Sequence, residues 1–479
     1  MEVTEVRNKT GISGALFGAY IFTYMTSNTL ENLWFVSGSN EVQLAMYQIQ
    51  QASVLAGLLF YGLFSGRILI LWNKLFKTLL AACFGAGLVV MFLIRDPMVF
   101  YILEPLCAFV IGITGGTVYE YLALSFKGDA EKLLKLSSAV GFGGAAAIVM
   151  QWLLQFVLSL GIILPLICAA SLFCIFYFEE SSSYRMHTFQ DKEYKTEIVT
   201  RSGICLIITV CAVLIMLVLY EVHMNNLEFA TYFLDWPRLF TVAGYLTIAF
   251  AGRTGRKDAL SLVMLCMALL SVLFPILLQN GGEFHLHMSI FYVILGTAVS
   301  YYTIMFAEIA PYSRFPAFTS SLGRILDGII TVVFGVLSLT KRVSMLQAAV
   351  IEVVLFALSI VMLKIGGYLA GGTNAEMFAT EDDNAGDANA LTDPGSVEDN
   401  DKSLEEIISE YAVDHGFTPR ETDVYKCLVT TDLKNQEIAD SLYISRRALQ
   451  NHIKSIYEKA GVSNRAGLIV AVRKNNSEE

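Results

Sequence analysis

Two groups of residues have types and spacings suited to chemistry, and they lie in chemically opposite parts of the chain. In "ISRRALQNHIKSIYEKAGVSNR", residues 444–465, Leu449, Ile453, Ile456 and Ala460 recur at i, i+4, i+7 and i+11. That period marks one apolar stripe of a helix, so Arg446, Arg447, Gln450, Asn451 and Lys454 fall on its solvated face. Gln and Asn amides pair bidentately with adenine, and Lys favours guanine. Between Ser441 and Lys474 seven Lys or Arg stand against the single acid Glu458, a local basic surface of the kind nucleic acids select. A charged run alone is usually only a solvated face; here it coincides with a cap, a turn and a core stripe.

The second group sits in apolar sequence. Arg324 and Asp327 are three residues apart, hence on one helix face, inside the apolar run 317–339. Ionisable groups in lipid cost a few kcal/mol each or more, which leaves two readings: a self-neutralising structural pair, or an arginine that anchors an anionic ligand. Tyr20, Tyr24 and Asn28, in the run 12–35, offer aromatic faces and polar tips for a small aromatic or polar compound, although aromatic residues in helices more often serve packing. Further carboxylates fall at Glu31, Glu104, Glu120, Glu221 and Glu308.

The elements that must position these groups follow from composition. Over 479 residues the chain is 55% hydrophobic and only 16% charged, with a mean hydropathy of +0.57, which describes a polytopic membrane protein with something appended. Windows of roughly 20 apolar residues, enough to cross a bilayer, fall near 12–35, 45–66, 75–94, 99–124, 137–158, 160–178, 202–222, 235–251, 259–278, 288–309, 317–339 and 346–364. The longest polar interruption, Glu179 to Arg201, divides twelve expected helices into six and six. With the N-terminus inside, the inner segments hold sixteen Lys or Arg and the outer loops three, so both termini are expected in the cytoplasm of a cell whose inner membrane carries the bundle. Gly11 to Phe35 is too long for a signal-peptide core and reads as the first span. Seven of the eight cysteines lie in apolar runs and none has a metal-ligand spacing.

The loop after the eighth window reads "AGRTGRK", residues 251–257, and the equivalent loop after the second keeps "SGR" at 65–67. Over roughly residues 10 to 370 the chain therefore resembles the major facilitator superfamily, whose two six-helix halves each bear a Gly-Arg-rich loop. The second copy lacks the family's usual Asp, and the first is reduced further. The resemblance implies that helices 1, 4, 7 and 10 line a central cavity. Glu31, Glu104, Glu120, Glu221 and Glu308 lie on those four helices, so Glu31, Glu104, Tyr24, Asn28, Arg324 and Asp327 are the candidate ligand-binding residues.

Composition changes abruptly at 371–403, where nine acidic residues, one Lys and almost no large apolar side chains predict a disordered linker. Beyond it, 404–479 is patterned as a small helical domain. Thr418 caps a first helix opened by Pro419 and Glu421, Lys434 to Leu442 forms a second, Ser445 caps a third and Ser463 a fourth. The short "YIS" connection between the second and third makes a helix-turn-helix. "TPRE" at 418–421, "NQEIADSLYIS" at 435–445, His452 and "KAGVSNRAGLI" at 459–469 resemble the LuxR-type DNA-binding domain. The resemblance implies that Gln450, Asn451 and Lys454 face base edges, that Arg446 and Arg447 face phosphates, that His452 is a sixth DNA-binding candidate, and that Gly467 to Val472 forms a dimer surface. A homodimer would set two recognition helices about 34 Å apart on an inverted repeat. The family's usual Thr-Val-Lys is replaced by Ala448, Leu449 and Gln450, so target sequence is not carried over.

The expected fold is thus all-α: a twelve-helix membrane bundle, 1–370, joined to a four-helix DNA-binding domain. No receiver-type phosphoacceptor, catalytic triad, metal spacing or nucleotide loop is legible, so neither an enzyme nor a cofactor is expected. The partners are DNA, the bilayer and a small ligand. The favoured reading is a one-component transcriptional regulator that senses through its bundle; the alternative is a secondary transporter with a fused regulatory domain.

Overall fold

In the computed structural model, the structure describes residues 2–35, 40–65, 74–94, 96–129, 131–157, 163–180, 201–223, 236–277, 284–313, 315–369, 411–412, 414–430, 438, 442, 446–460, 462 and 468. The chain divides into two compact units, Met1–Asp387 and Ala388–Glu479. The expected linker, 371–403, lies outside the described residues.

Helices occupy all twelve expected positions in the first unit. They are α1 (Glu2–Phe35), α2 (Asn40–Phe64), α3 (Lys74–Ile94), α4 (Pro97–Ser125), α5 (Lys132–Trp152, continued by a π turn to Val157) and α6 (Ile163–Glu180). After the central interruption come α7 (Arg201–His223), α8 (Thr241–Ala251), α9 (Lys257–Leu277), α10 (Phe284–Ile309), α11 (Pro316–Val336) and α12 (Met345–Ile365). Among the described residues, eight helices are long and apolar enough to cross a bilayer. Those at the first, second, sixth and eighth positions are not among them. In α8 the reason is geometric: only eleven residues are α-helical, and the run begins as a 3-10 turn, Trp236–Phe240.

Local sequence sets several ends. Asp96 caps α4 by accepting from the Met98 and Val99 amides, with Pro97 at the first position, where its missing N–H costs nothing. Ser344 and Gln347 close a capping box at α12.

Packing repeats between the halves. α1 lies against α5 and α6, α2 against α4, and α3 against α6; α7 lies against α11 and α12, α8 against α10, and α9 against α12. The halves meet through α2 with α11 and through α5 with α8, so an internal two-fold relation exchanges the contacts. Glycines mark its tightest points. A Cβ on Gly57 would stand 2.9 Å from Gly112 Cα, and one on Gly244 would stand 2.9 Å from the Gly296 carbonyl carbon. Neither gap admits a side chain, so the matched pairs α2–α4 and α8–α10 approach backbone to backbone, the usual use of small residues between membrane helices.

In the second unit the described helices are α13 (Pro419–Thr430) and α14 (Arg446–Ala460). Tyr411, Val424, Tyr425, Leu428, Ile438, Leu449, Ile456 and Leu468 form its core. All of this is helical, as expected, and no strand occurs among the described residues.

Candidate ligand cavity and nucleic-acid interface

The Arg324 and Asp327 side chains of α11 pair directly, with 12% and 15% of their surfaces exposed. The pair is therefore held inside the bundle yet still reachable. It also has partners on three other helices. Arg324 Nη2 donates to the Tyr24 hydroxyl of α1 and, at 3.3 Å, to Gln51 Oε1 of α2. The Tyr24 hydroxyl donates to the same Gln51 oxygen at 3.1 Å, and the Tyr302 hydroxyl of α10 donates to Asp327 Oδ2 at 3.2 Å. The guanidinium carbon lies 4.6 Å from the centre of the Tyr24 ring, a cation–π contact. Gly323 makes room for this arrangement, because a Cβ there would meet Tyr302 Cγ at 2.8 Å.

Aromatic rings surround the polar cluster. Tyr20 stacks beside Tyr24 at 6.4 Å and meets Tyr119 edge-on at 5.6 Å, and Phe17 contacts both Tyr119 and Tyr245 at 6.4 Å. Tyr20, Tyr119, Tyr245 and Tyr302 are buried. The cluster thus offers a cation, a carboxylate, an amide and several ring faces at the junction of both halves, a composition suited to a small polar or anionic molecule.

The remaining candidates fall elsewhere. Asn28 is buried one turn beyond Tyr24 in α1. Glu104 is buried on α4 and accepts from Gln50 Nε2 at 2.8 Å; the adjacent residues Gln50 and Gln51 thereby tie α2 to α4 on one side and to α11 on the other. Glu120, one of the expected carboxylates, accepts from the Tyr61 hydroxyl at 2.7 Å. Glu308 pairs with Lys257 at 3.0 Å, and its carbonyl accepts from Lys132 of the other half. The side chains of Glu31 and Glu221 lie outside the described residues.

Sequence reasoning missed Gln51 and Tyr302, whose roles depend on which helices are neighbours. The paired glutamines of "QIQQ", 48–51, in an apolar helix were the one available signal. It also missed Arg238, buried in the 3-10 turn before α8, 3.4 Å from the Met25 carbonyl; an arginine at the edge of an apolar run is easily taken for a solvated end.

In the second unit, the Thr418 amide donates to Glu421 Oε2 at 2.7 Å and the Glu421 amide to Thr418 Oγ1 at 3.3 Å, a capping box that starts α13. Glu421 is also the acceptor for Lys459 Nζ at 2.6 Å, which fixes the far end of α14 to the start of α13. On α14, Leu449 and Ile456 are fully buried, while Ile453 and Ala460 pack beside them. The opposite face presents Asn451 and Lys454, both exposed. Lys454 makes only a long contact, 3.9 Å, with Glu458, so its ammonium remains available to an external partner. His452 is half-buried. α14 runs through Arg446, Arg447 and Gln450, whose side chains lie outside the described residues, as do most of the expected second and fourth helices.

Residues 415–472 match the family model of the bacterial regulatory proteins, luxR family. This segment is a LuxR-type DNA-binding domain. Where the usual Thr-Val-Lys would stand, Leu449 fills the core of the LuxR-type domain and Ala448 is half-buried.

The bundle has the major facilitator fold. It is similar to FucP, a major facilitator superfamily transporter in the outward conformation, with a TM-score of 0.50 and 13% identity over 75% of this chain and 99% of that one. It is similar also to the human organic anion transporter MFSD10 (TETRAN), with a TM-score of 0.51 and 11% identity over the same shares. No curated protein matches the chain in sequence. The protein is therefore a membrane protein that carries a LuxR-type domain.

Proposed function

We propose that this chain is a membrane-embedded one-component transcriptional regulator: the bundle binds a small ligand at Arg324, and the LuxR-type domain binds DNA. The observation that carries the reading is the fusion, in one polypeptide, of a DNA-binding domain with a bundle whose two halves are bridged by a polar cluster. Arg324 belongs to the second half and its partners Tyr24 and Gln51 to the first. A ligand that alters those bonds changes how the halves hold each other, which is the differential interaction a ligand-driven switch needs. The excess of Lys and Arg in alternate loops supports an inner-membrane protein with both termini in the cytoplasm, where DNA is. The LuxR-type domain acts as a homodimer on an inverted repeat.

The test is occupancy of the operator by the full chain in membranes, with and without inducer, compared with residues 388–479 alone. The reading predicts ligand-dependent occupancy only when the bundle is present. Equal response of the truncated protein would refute it. A second reading, a transporter that also regulates, is favoured by the buried carboxylates Glu104 and Glu120, each hydrogen-bonded between α2 and α4. Uptake of the inducer by vesicles holding the intact chain separates the two.

A further inference from the structure

The Gln51 side chain is held by its oxygen alone. Oε1 accepts from both Tyr24 and Arg324, which fixes the orientation of the amide, since the flipped group would point N–H at two donors. Its Nε2 is buried and has no hydrogen-bond partner. An unsatisfied buried donor is destabilising, and this one sits at the edge of the Arg324 cluster, because the two atoms of one amide are close neighbours. A guanidinium beside a free N–H donor is a carboxylate site: two acceptor oxygens meet two kinds of donor, and the charge is matched. One carboxylate already occupies the guanidinium side, namely Asp327, held from behind by the Tyr302 hydroxyl.

We infer that the Arg324 cluster takes a small organic carboxylate, that Gln51 Nε2 and Arg324 are its two donors, and that Asp327 is a built-in competitor which the ligand displaces from Arg324. This rests on the ligand-sensing reading above and adds to it the chemical class and the exchange. Displacement leaves Asp327 with Tyr302 of α10 and gives Arg324 to the ligand. α10 continues from Tyr302 to Glu308, whose carboxylate holds Lys257 and whose carbonyl holds Lys132 of the opposite half. The exchange thus acts on the helix that ties the two halves together at its other end.

A competitor has a signature that a plain structural pair lacks. The apparent affinity for the ligand is lowered by the fraction of protein in which Asp327 occupies Arg324. Removing the competing charge while keeping the shape, Asp327→Asn, therefore tightens carboxylate binding.

The experiment uses the full chain in nanodiscs and reads thermal stabilisation by acetate, benzoate and 3-phenylpropanoate, each compared with its neutral amide. The expected result is that at least one carboxylate stabilises the protein while its amide does not. Asp327→Asn then lowers the half-saturating concentration by about tenfold, Gln51→Leu raises it, and Arg324→Gln abolishes the effect. Should Asp327→Asn fail to fold, Tyr302→Phe, which loosens the hold on Asp327, shifts half-saturation in the same direction by a smaller factor. Equal stabilisation by the amides overturns the inference, as does unchanged or weaker carboxylate binding in Asp327→Asn and Tyr302→Phe, or no effect of any carboxylate on any variant. The regulator reading fails separately: carboxylate binding that leaves operator occupancy unaltered refutes sensing and keeps the site. An operator response that survives in Arg324→Gln refutes the site and keeps sensing.

Discussion

The Lys459 ammonium lies 2.6 Å from the Glu421 carboxylate, 38 residues away in sequence, and so closes the LuxR-type domain between the start of α13 and the end of α14. Burial alone raises the Glu421 pKa, but hydrogen bonds from Lys459, Ser455 and Thr418 outweigh it and hold the carboxyl at about 2, below its ordinary 4.5. A carboxyl depressed on folding stabilises the fold fully above its unfolded value and loses that contribution as pH falls through the folded one. Proteolytic protection of this domain in the full chain should therefore decline as pH falls from about 4.5 towards about 2. Glu421→Gln should already be less protected at neutral pH, by about 1–3 kcal/mol, and flatter with pH. An unchanged profile in that variant would show that the Lys459 contact is not the cause.

If the face of α14 opposite Leu449 and Ile456 reads DNA, as the LuxR-type resemblance implies, substitutions on it change sequence choice. Asn451→Ala or Gln450→Ala should relax discrimination between cognate and scrambled duplexes by about 1–3 kcal/mol. Arg446→Ala should instead weaken all sequences alike and reduce the salt slope by about one. Titrations at several salt concentrations read both effects, and undiminished discrimination in Gln450→Ala would reassign the reading face.

Removing one member of a buried ion pair leaves the other uncompensated, at a cost of about 3–5 kcal/mol. Arg324→Ala and Asp327→Ala should each reduce the amount of protein in the membrane. The swap Arg324→Asp with Asp327→Arg should restore abundance without restoring the inducer response, because Tyr24 and Gln51 are placed for a guanidinium at position 324. Abundance and reporter output measured together decide it: a normal response in the swap would make the pair merely structural.

The glycine contacts predict equivalent weak points in the two halves. Gly57→Val and Gly244→Val should each force α2 from α4 or α8 from α10, costing about 1–3 kcal/mol or more, with Ala milder at both positions. Size-exclusion profiles after graded heating would rank them. Tolerance of Val at either site would contradict the close approach.

Communication between the units is expected to work through pairing of bundles, which raises the local concentration of two LuxR-type domains. Were 371–403 the disordered linker that its composition predicts, it would span on the order of 30 Å, comparable with half-site spacing. Replacing its nine acids with Asn, Gln and Ser should leave fold-induction by ligand nearly intact and raise basal binding only modestly, since linker charges are screened by salt. Lost response in that variant, with cross-linked pairing unchanged, would favour the acids as competitors for the DNA-binding face.

Patterns carried by neighbouring residues were legible in the sequence for a physical reason: each depends on one element at a time. Apolar run length predicted where helices would form, because a segment in lipid must satisfy its own backbone. The period of Leu449, Ile453, Ile456 and Ala460 predicted the buried stripe of α14, because a helix face repeats within the chain. Thr418 was legible as the N-cap of α13, and its two bonds with Glu421 span only three residues. The Arg324–Asp327 contact was legible in the same way, one turn apart on one helix. What Arg324 touches besides Asp327 was not, since Tyr24 and Gln51 are about three hundred residues away in sequence and meet it only because α1 and α2 pack beside α11. The same holds for Tyr302 behind Asp327 and for Lys459 on Glu421. Contacts of that kind are fixed by which helices become neighbours, and packing of the whole bundle, or of the whole small domain, decides that.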